Sequence, residues 1–199
     1  MDNKALIIAG SIFAYLYFRR KESNTDLWFI PAEDDWFILP VGILSFENDV
    51  MQYKIQIMKE GQDNKIEAAV IAGIIAKESK GIANITKDRY IGLMQFGIAE
   101  ARAMGYKGTS AELLKPENNI HWGTKYLKYC IDHKKGNIAR GISGYNTGNV
   151  ESSTTPFNVE YVNEVAGYIP RFRFLLSQSF PGYANVFPKN TWFSIPVAA

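Results

Sequence analysis

The stretch IEAAVIAGIIAKES, residues 66–79, decides how this chain is read. Ile66, Val70 and Ile74 recur every four residues, and Glu78 continues the row. On a helix that spacing puts all four side chains on one stripe. The stretch therefore predicts a helix, with Asn64 and Glu67 as a capping pair at its start. A carboxyl group at the end of a core-facing stripe is poorly solvated, which favours its neutral form and raises its pKa. That is the preparation a general acid needs near neutral pH. An isolated glutamate in a last helical turn more often points to solvent, so the case for Glu78 depends on its surroundings.

Working outward, most of the chain has helical spacing. Val50, Ile55, Ile57 and Met58, at only fair spacing, suggest a first helix ending at Gly61. Residues 95–104 read as a helix stopped by Gly105. Another begins near Pro116, a favoured first-turn residue, and runs to Gly136. In it Ile120, Gly123, Thr124, Leu127 and Ile131 form a narrow face. Residues 137–145 make a short helix before the turn Asn146-Thr147-Gly148. Val159, Val162, Val165, Ala166 and Ile169 line a last one, which Pro170 should end or kink. Strand signals are sparse. The expected fold is mostly α, a single helical domain with a small irregular or β element after Glu78.

Composition narrows the function classes. A chain of 199 residues suffices for one sizeable core with appendages. Its net charge of +2 lacks the dense basic face of a nucleic-acid binder, so no nucleic-acid partner is expected. Cys130 is the single cysteine and sits among apolar helix positions, so it reads as core and forms no intrachain disulfide. With one cysteine and two separated histidines, no metal-ligand cluster stands out.

The termini differ from the middle. Residues 5–18 (ALIIAGSIFAYLYF) are apolar and flanked by Lys4 and by Arg19, Arg20 and Lys21. The run is shorter than the roughly 17–25 residues of an ordinary spanning helix. Snorkelling of Lys4 and Arg19 could extend it. It reads as a membrane anchor, with a secretory signal or a buried helix as the alternatives. Trp28-Phe29-Ile30-Pro31, Trp36-Phe37-Ile38-Leu39-Pro40 and Trp192-Phe193-Ser194-Ile195-Pro196 resemble one another and favour extended chain. The expected organisation is an apolar segment at 1–21, an aromatic and proline-rich linker at 22–45, a catalytic domain at 46–180 and a tail at 181–199.

Further blocks carry chemistry. Gly92-Leu93-Met94-Gln95 sets a flexible glycine beside an apolar pair and an amide. Tyr145-Asn146, at a turn bounded by glycine, offers an aromatic ring and an amide. Such pairs suit N-acetylated sugars, rings for CH faces and amides for hydroxyl and acetamido groups. Either pair alone is more often core and turn. In order, however, Glu78-Ser79, then GLMQ at 92–95, then Asn119-Ile120-x-x-Gly123-x-x-Tyr126-Leu127, then Gly144-Tyr145-Asn146-x-Gly148-x-Val150, then Tyr161-Val162-x-x-Val165 resemble the lytic transglycosylases. The resemblance spans roughly residues 60–177.

This resemblance implies a lysozyme-like fold that cleaves the β-1,4 bond between N-acetylmuramic acid and N-acetylglucosamine in peptidoglycan, without a cofactor. It implies Glu78 as catalytic acid/base and Ser79 as its support. Met94, Gln95, Tyr145 and Asn146 would line the glycan cleft, with Tyr161 close by. The architecture, a short chain with one anchor-like segment and one wall-cleaving domain, suits a cell-envelope or virion setting, with partner proteins of a virion or secretion apparatus and membrane contact through residues 5–18. Two departures stand out: Phe157 and Asn158 replace a usual Glu-Thr, and Gly144 and Thr147 replace alanines. The alternatives are a goose-type hydrolase using Glu78 with Asp88, and a non-catalytic peptidoglycan-binding module.

Overall fold

The computed structural model describes residues 45–148, 150 and 157–186. The apolar run at 5–18 and the three Trp-Phe segments lie outside them. Among the described residues no helix is long and apolar enough to cross a membrane.

The helix of the opening stretch, α3 (Ala68–Ser79), is the centre of the domain. Every residue from Ala68 to Ala76 is buried, so it is apolar all round rather than along one stripe. Its small residues admit close neighbours. A Cβ on Gly73 would stand 3.1 Å from the Val165 carbonyl oxygen, which marks where α8 (Val159–Ser179) crosses it. α8 contributes Val162, Val165, Ile169, Phe172 and Leu176 to the same core. The expected cap differs: Glu67 holds the N-cap position without a side-chain bond to the helix, and Asn64 bonds back to Glu60.

Around this pair lie α1 (Ser45–Met51) and α2 (Lys54–Asn64), then α6 (Pro116–His133) and α7 (Ile138–Thr147). Short helices α4 (Ile98–Ala103), α5 (Ser110–Leu113) and α9 (Tyr183–Val186) complete the described chain. α1 and α2 replace the single helix expected before Gly61; Ile55, one of its pattern residues, is 74% exposed. Pro170 does not end α8, which continues to Ser179. Residues on both sides of the proline, Ile169 and Phe172, are fully packed, which holds the helix across the missing N–H.

After α3 come three two-residue strands, β1 (Thr86–Lys87), β2 (Tyr90–Ile91) and β3 (Phe96–Gly97), in an antiparallel sheet of order β1-β2-β3. Register pairs Lys87 with Tyr90 and Ile91 with Phe96. This is the small β element expected there. It also shortens the helix expected at 95–104, because Phe96 and Gly97 pair with β2 before α4 begins. The architecture is thus mostly α with a small sheet.

Two arginines on α8 neutralise carboxylates inside the domain. Arg171 Nε donates to both oxygens of Glu47 on α1, at 3.1 and 3.0 Å. Arg173 holds Glu67 bidentately at 2.5 and 2.7 Å, beside the α3 N-terminus. Tyr183, within the expected tail, is buried; its hydroxyl donates to Glu67 and accepts from the Ala69 N–H. Breaking such a pair leaves an uncompensated buried charge. Arg173→Met is therefore expected to lower unfolding stability by about 3 kcal/mol in urea denaturation. A loss under about 1 kcal/mol, the scale of a surface pair, would contradict the buried-pair account.

Candidate active site

Glu78 sits in the last turn of α3, where the helix emerges from the core. Lys80 in the left-handed conformation and the Ser79 hydroxyl close the helix: the hydroxyl donates to the Ile75 carbonyl and accepts from the Gly81 N–H. Tyr161, in the first turn of α8, donates its hydroxyl to Glu78 Oε1 at 2.5 Å. Burial pushes the Glu78 carboxyl above its ordinary range. The Tyr161 hydrogen bond and the charges of Lys77 and Lys87 pull it back without cancelling the rise. Lys77 is itself ion-paired with Glu164 on α8.

The GLMQ block is the turn between β2 and β3. Asn119 of α6, fully buried, holds it from below. Its Oδ1 accepts from the Met94 N–H at 2.8 Å, and its Nδ2 donates to the Ile91 carbonyl at 2.9 Å. Gly92 has φ +76°, and a Cβ there would meet the Asn119 amide nitrogen at 2.5 Å. Only glycine serves such a position. Gln95 also takes a positive φ of 45°, with its side-chain amide donating to the Gly92 carbonyl.

These elements border a cleft of about 440 Å³. Four of the residues expected at the site line it: Glu78, Gln95, Asn146 and Tyr161. Two residues expected to line the cleft, Met94 and Tyr145, and Ser79, the expected support of Glu78, are not among the lining residues. Ser79 is buried with its hydroxyl spent on the helix end. The Met94 side chain is wholly inside the core. Tyr145 is buried beneath the turn, donating its hydroxyl to the Met94 carbonyl at 2.7 Å and lying 5.5 Å from the Tyr126 ring. These three hold the site from behind instead of facing the cleft.

Sequence reasoning missed several lining residues: Lys77, Lys87, Asn158, Glu160 and Glu164. Asn158 had a signal, since it stands where the family pattern has a different polar residue. Glu160 and Glu164 lie one helical turn apart, a spacing that places both on one face of α8, and both line the cleft with Tyr161. Asp88 is at the exposed tip of the β1–β2 hairpin with φ +56° and does not line the cleft. Among the described residues no group of three or more His, Cys, Asp or Glu is placed to hold a metal ion.

The geometry so far is a desolvated carboxyl with a tyrosine donor, in a cleft lined by amides and charged groups. Two curated relatives are endo-type membrane-bound lytic murein transglycosylase A proteins. The one from Enterobacter sp. (strain 638) is 38% identical over 100 residues, 46% of this chain and 47% of the relative. The one from Cronobacter sakazakii is 31% identical over 130 residues, 61% of this chain and 60% of the relative. An uncharacterized 20.7 kDa protein of Enterobacteria phage T4 is 32% identical over 108 residues, 48% of this chain and 57% of its own length. The chain thus spans about half to three-fifths of these relatives. Among solved structures, an inactive mutant of the lytic transglycosylase Slt from Pseudomonas aeruginosa shares the fold. Its TM-score is 0.52 at 20% identity, over 71% of this chain and 26% of that one. Residues 56–158, just over half of the chain, match the Transglycosylase SLT domain, and the protein belongs to that family.

Proposed function

We propose that this chain is a peptidoglycan lytic transglycosylase, with Glu78 as its single acid/base. The observation that carries the proposal is the Glu78 carboxyl itself: raised in pKa by burial, held by Tyr161, and open to a cleft with amides on its walls. Family membership and the two lytic murein transglycosylase relatives support the same reading.

Glu78, protonated, gives its proton to the glycosidic oxygen as that oxygen leaves C1 of N-acetylmuramic acid. The acetamido oxygen of the same sugar stabilises the positive charge developing at C1. The Glu78 carboxylate then takes the proton of the C6 hydroxyl while O6 bonds to C1. Glu78 ends protonated, as it began, and a 1,6-anhydro end forms without water. Holding the nucleophile on the same sugar is equivalent to an effective concentration of about 10⁵ M or more, far above that of water. Gln95 and Asn146 would bond the sugar's hydroxyl and acetamido groups, while Tyr161 keeps the Glu78 carboxyl oriented.

Hydrolysis is the competing chemistry, and it needs a second carboxylate to hold water. Asp88, at the hairpin tip, is poorly placed for that. Of the carboxylates on α8 that line the cleft, Glu164 is engaged by Lys77, which leaves Glu160 as the group a hydrolase would use. The setting we propose is local opening of the wall by a virion or an envelope apparatus, with residues 5–18 touching a membrane.

Three outcomes test this reading. The acid form of Glu78 is required first, so activity is full below its raised pKa and falls as pH climbs through it. NMR titration should place Glu78 above the model-peptide value of about 4.3. Tyr161→Phe should raise it further, because the lost hydrogen bond favoured the carboxylate; a downward shift would contradict the geometry. Glu78→Gln should lower the rate by about 10²–10⁴-fold, and wild-type digests should contain 1,6-anhydro ends with no ¹⁸O from labelled water at C1. Asp88→Asn should stay within a few-fold of wild type. Labelled reducing ends, lost on Glu160→Gln, would establish the hydrolase instead. Finally, deleting residues 1–21 should free the protein from membranes while leaving activity on isolated peptidoglycan. Full-length protein that ignores liposomes would remove the anchor.

A further inference from the structure

Asn158 makes a set of bonds that no other cleft residue makes. It caps α8, its Oδ1 accepting from the Tyr161 N–H at 3.1 Å. Its own N–H donates to Ser143 Oγ on α7 at 2.8 Å. Its Nδ2 donates to Oδ1 of Asn146 at 2.7 Å. Ser143 and Asn146 are three residues apart, hence on one face of α7. One side chain thereby ties the last turn of α7 to the first turn of α8, the turn that carries Tyr161 and its bond to Glu78.

The orientation of both amides follows from elementary donor and acceptor rules. A backbone N–H can only donate, so the Asn158 atom facing Tyr161 must be the oxygen. The atom left for Asn146 is then the NH₂ group, which can only donate, so Asn146 must answer with its oxygen. The Asn146 NH₂ group is what remains. It has no protein partner among the described residues, and Asn146 lines the cleft.

We propose that Asn158 is a positioning residue that locks the Asn146 amide so that it presents only hydrogen-bond donors to the cleft. The group it selects on the substrate is then a carbonyl acceptor, such as the acetamido oxygen of an N-acetylated sugar. An unlocked asparagine could turn its oxygen outward and accept from a hydroxyl equally well; the locked one discriminates. This inference rests on the glycan-cleaving reading above and assigns the chemistry of one contact within it. The threonine-type residue usual at this position could cap α8 through its hydroxyl. That hydroxyl could not also reach across to Asn146 with a second, differently directed group.

Two substitutions separate the cap from the lock. Asn158→Ser keeps a capping oxygen and removes the donor to Asn146. Asn158→Asp keeps the cap and offers Asn146 an acceptor, which should invert its amide and turn the oxygen into the cleft. Both should melt close to wild type. Each should raise KM for peptidoglycan while kcat stays within about threefold, with Asn158→Asp the stronger at about tenfold, the scale of one hydrogen bond lost and its partner left unpaired. In the isotope-labelled full-length protein, titration with the β-1,4 trimer of N-acetylglucosamine should shift the Asn146 side-chain NH₂ signals. The deacetylated trimer should not.

Trimer binding that moves the Gln95 amide but leaves the Asn146 NH₂ unmoved would overturn the inference and leave the glycan reading intact. So would wild-type KM in both variants. Wild-type protein that neither binds the trimer nor cleaves peptidoglycan would instead remove the glycan reading, and this inference with it.

Discussion

Burial of α3 on every side from Ala68 to Ala76 is the constraint on which the site depends. A helix with no solvent-facing side must be wrapped, and α8 lies along it with α1 and α2 beside them. The first polar side chains the helix can offer a substrate, Lys77 and Glu78, stand where it leaves the wrapping, and both line the cleft; Glu78 is the one that carries a carboxyl. Its carboxyl is desolvated because the helix behind it is dry, and the same packing brings Tyr161 of α8 to within a hydrogen bond. Acidity and orientation at the site are thus consequences of how the core closes.

Polar groups inside the domain follow the same economy of satisfaction. The sheet turn that carries Gln95 has backbone groups facing the core, and each finds a side chain there. Asn119 bonds the Met94 N–H and the Ile91 carbonyl, and Tyr145 bonds the Met94 carbonyl. A buried backbone group left without a partner would cost on the order of 1–3 kcal/mol. The rigidity of the turn therefore comes from α6 and α7 beneath it. Met94 and Tyr145 belong to this foundation, as does Ser79 at the close of α3.

α8 has a double part. Its buried face completes the core, and Arg171 and Arg173 reach to opposite sides to neutralise Glu47 and Glu67. Its cap and first two turns carry Asn158, Glu160, Tyr161 and Glu164 to the cleft wall. The match to the SLT domain ends at residue 158, just before Tyr161, so part of the cleft wall, Glu160, Tyr161 and Glu164, lies past the matched span.

The sequence by itself determined the elements with strong periodic or punctuating signals: the apolar helix at 66–79, the long helix opened by Pro116, and the small β element after Glu78. It also singled out Glu78, through its place on the row of Val70 and Ile74 taken together with the ordered blocks that follow it in the chain. Tertiary structure decided what local pattern could not carry. Glu67 became an ion-pair partner of Arg173 instead of a helix cap, and Pro170 stayed inside a helix held by packing on both sides. Gln95 entered a turn and not a helix, because β2 was there to pair with Phe96. The division of the motif residues into those that face the cleft and those beneath it was likewise illegible. A tyrosine or methionine has the same letter whether its ring or thioether meets sugar or core. Only the neighbours, Asn119, Tyr126 and Asn158 among them, settle which side it turns to, and they come from distant parts of the chain.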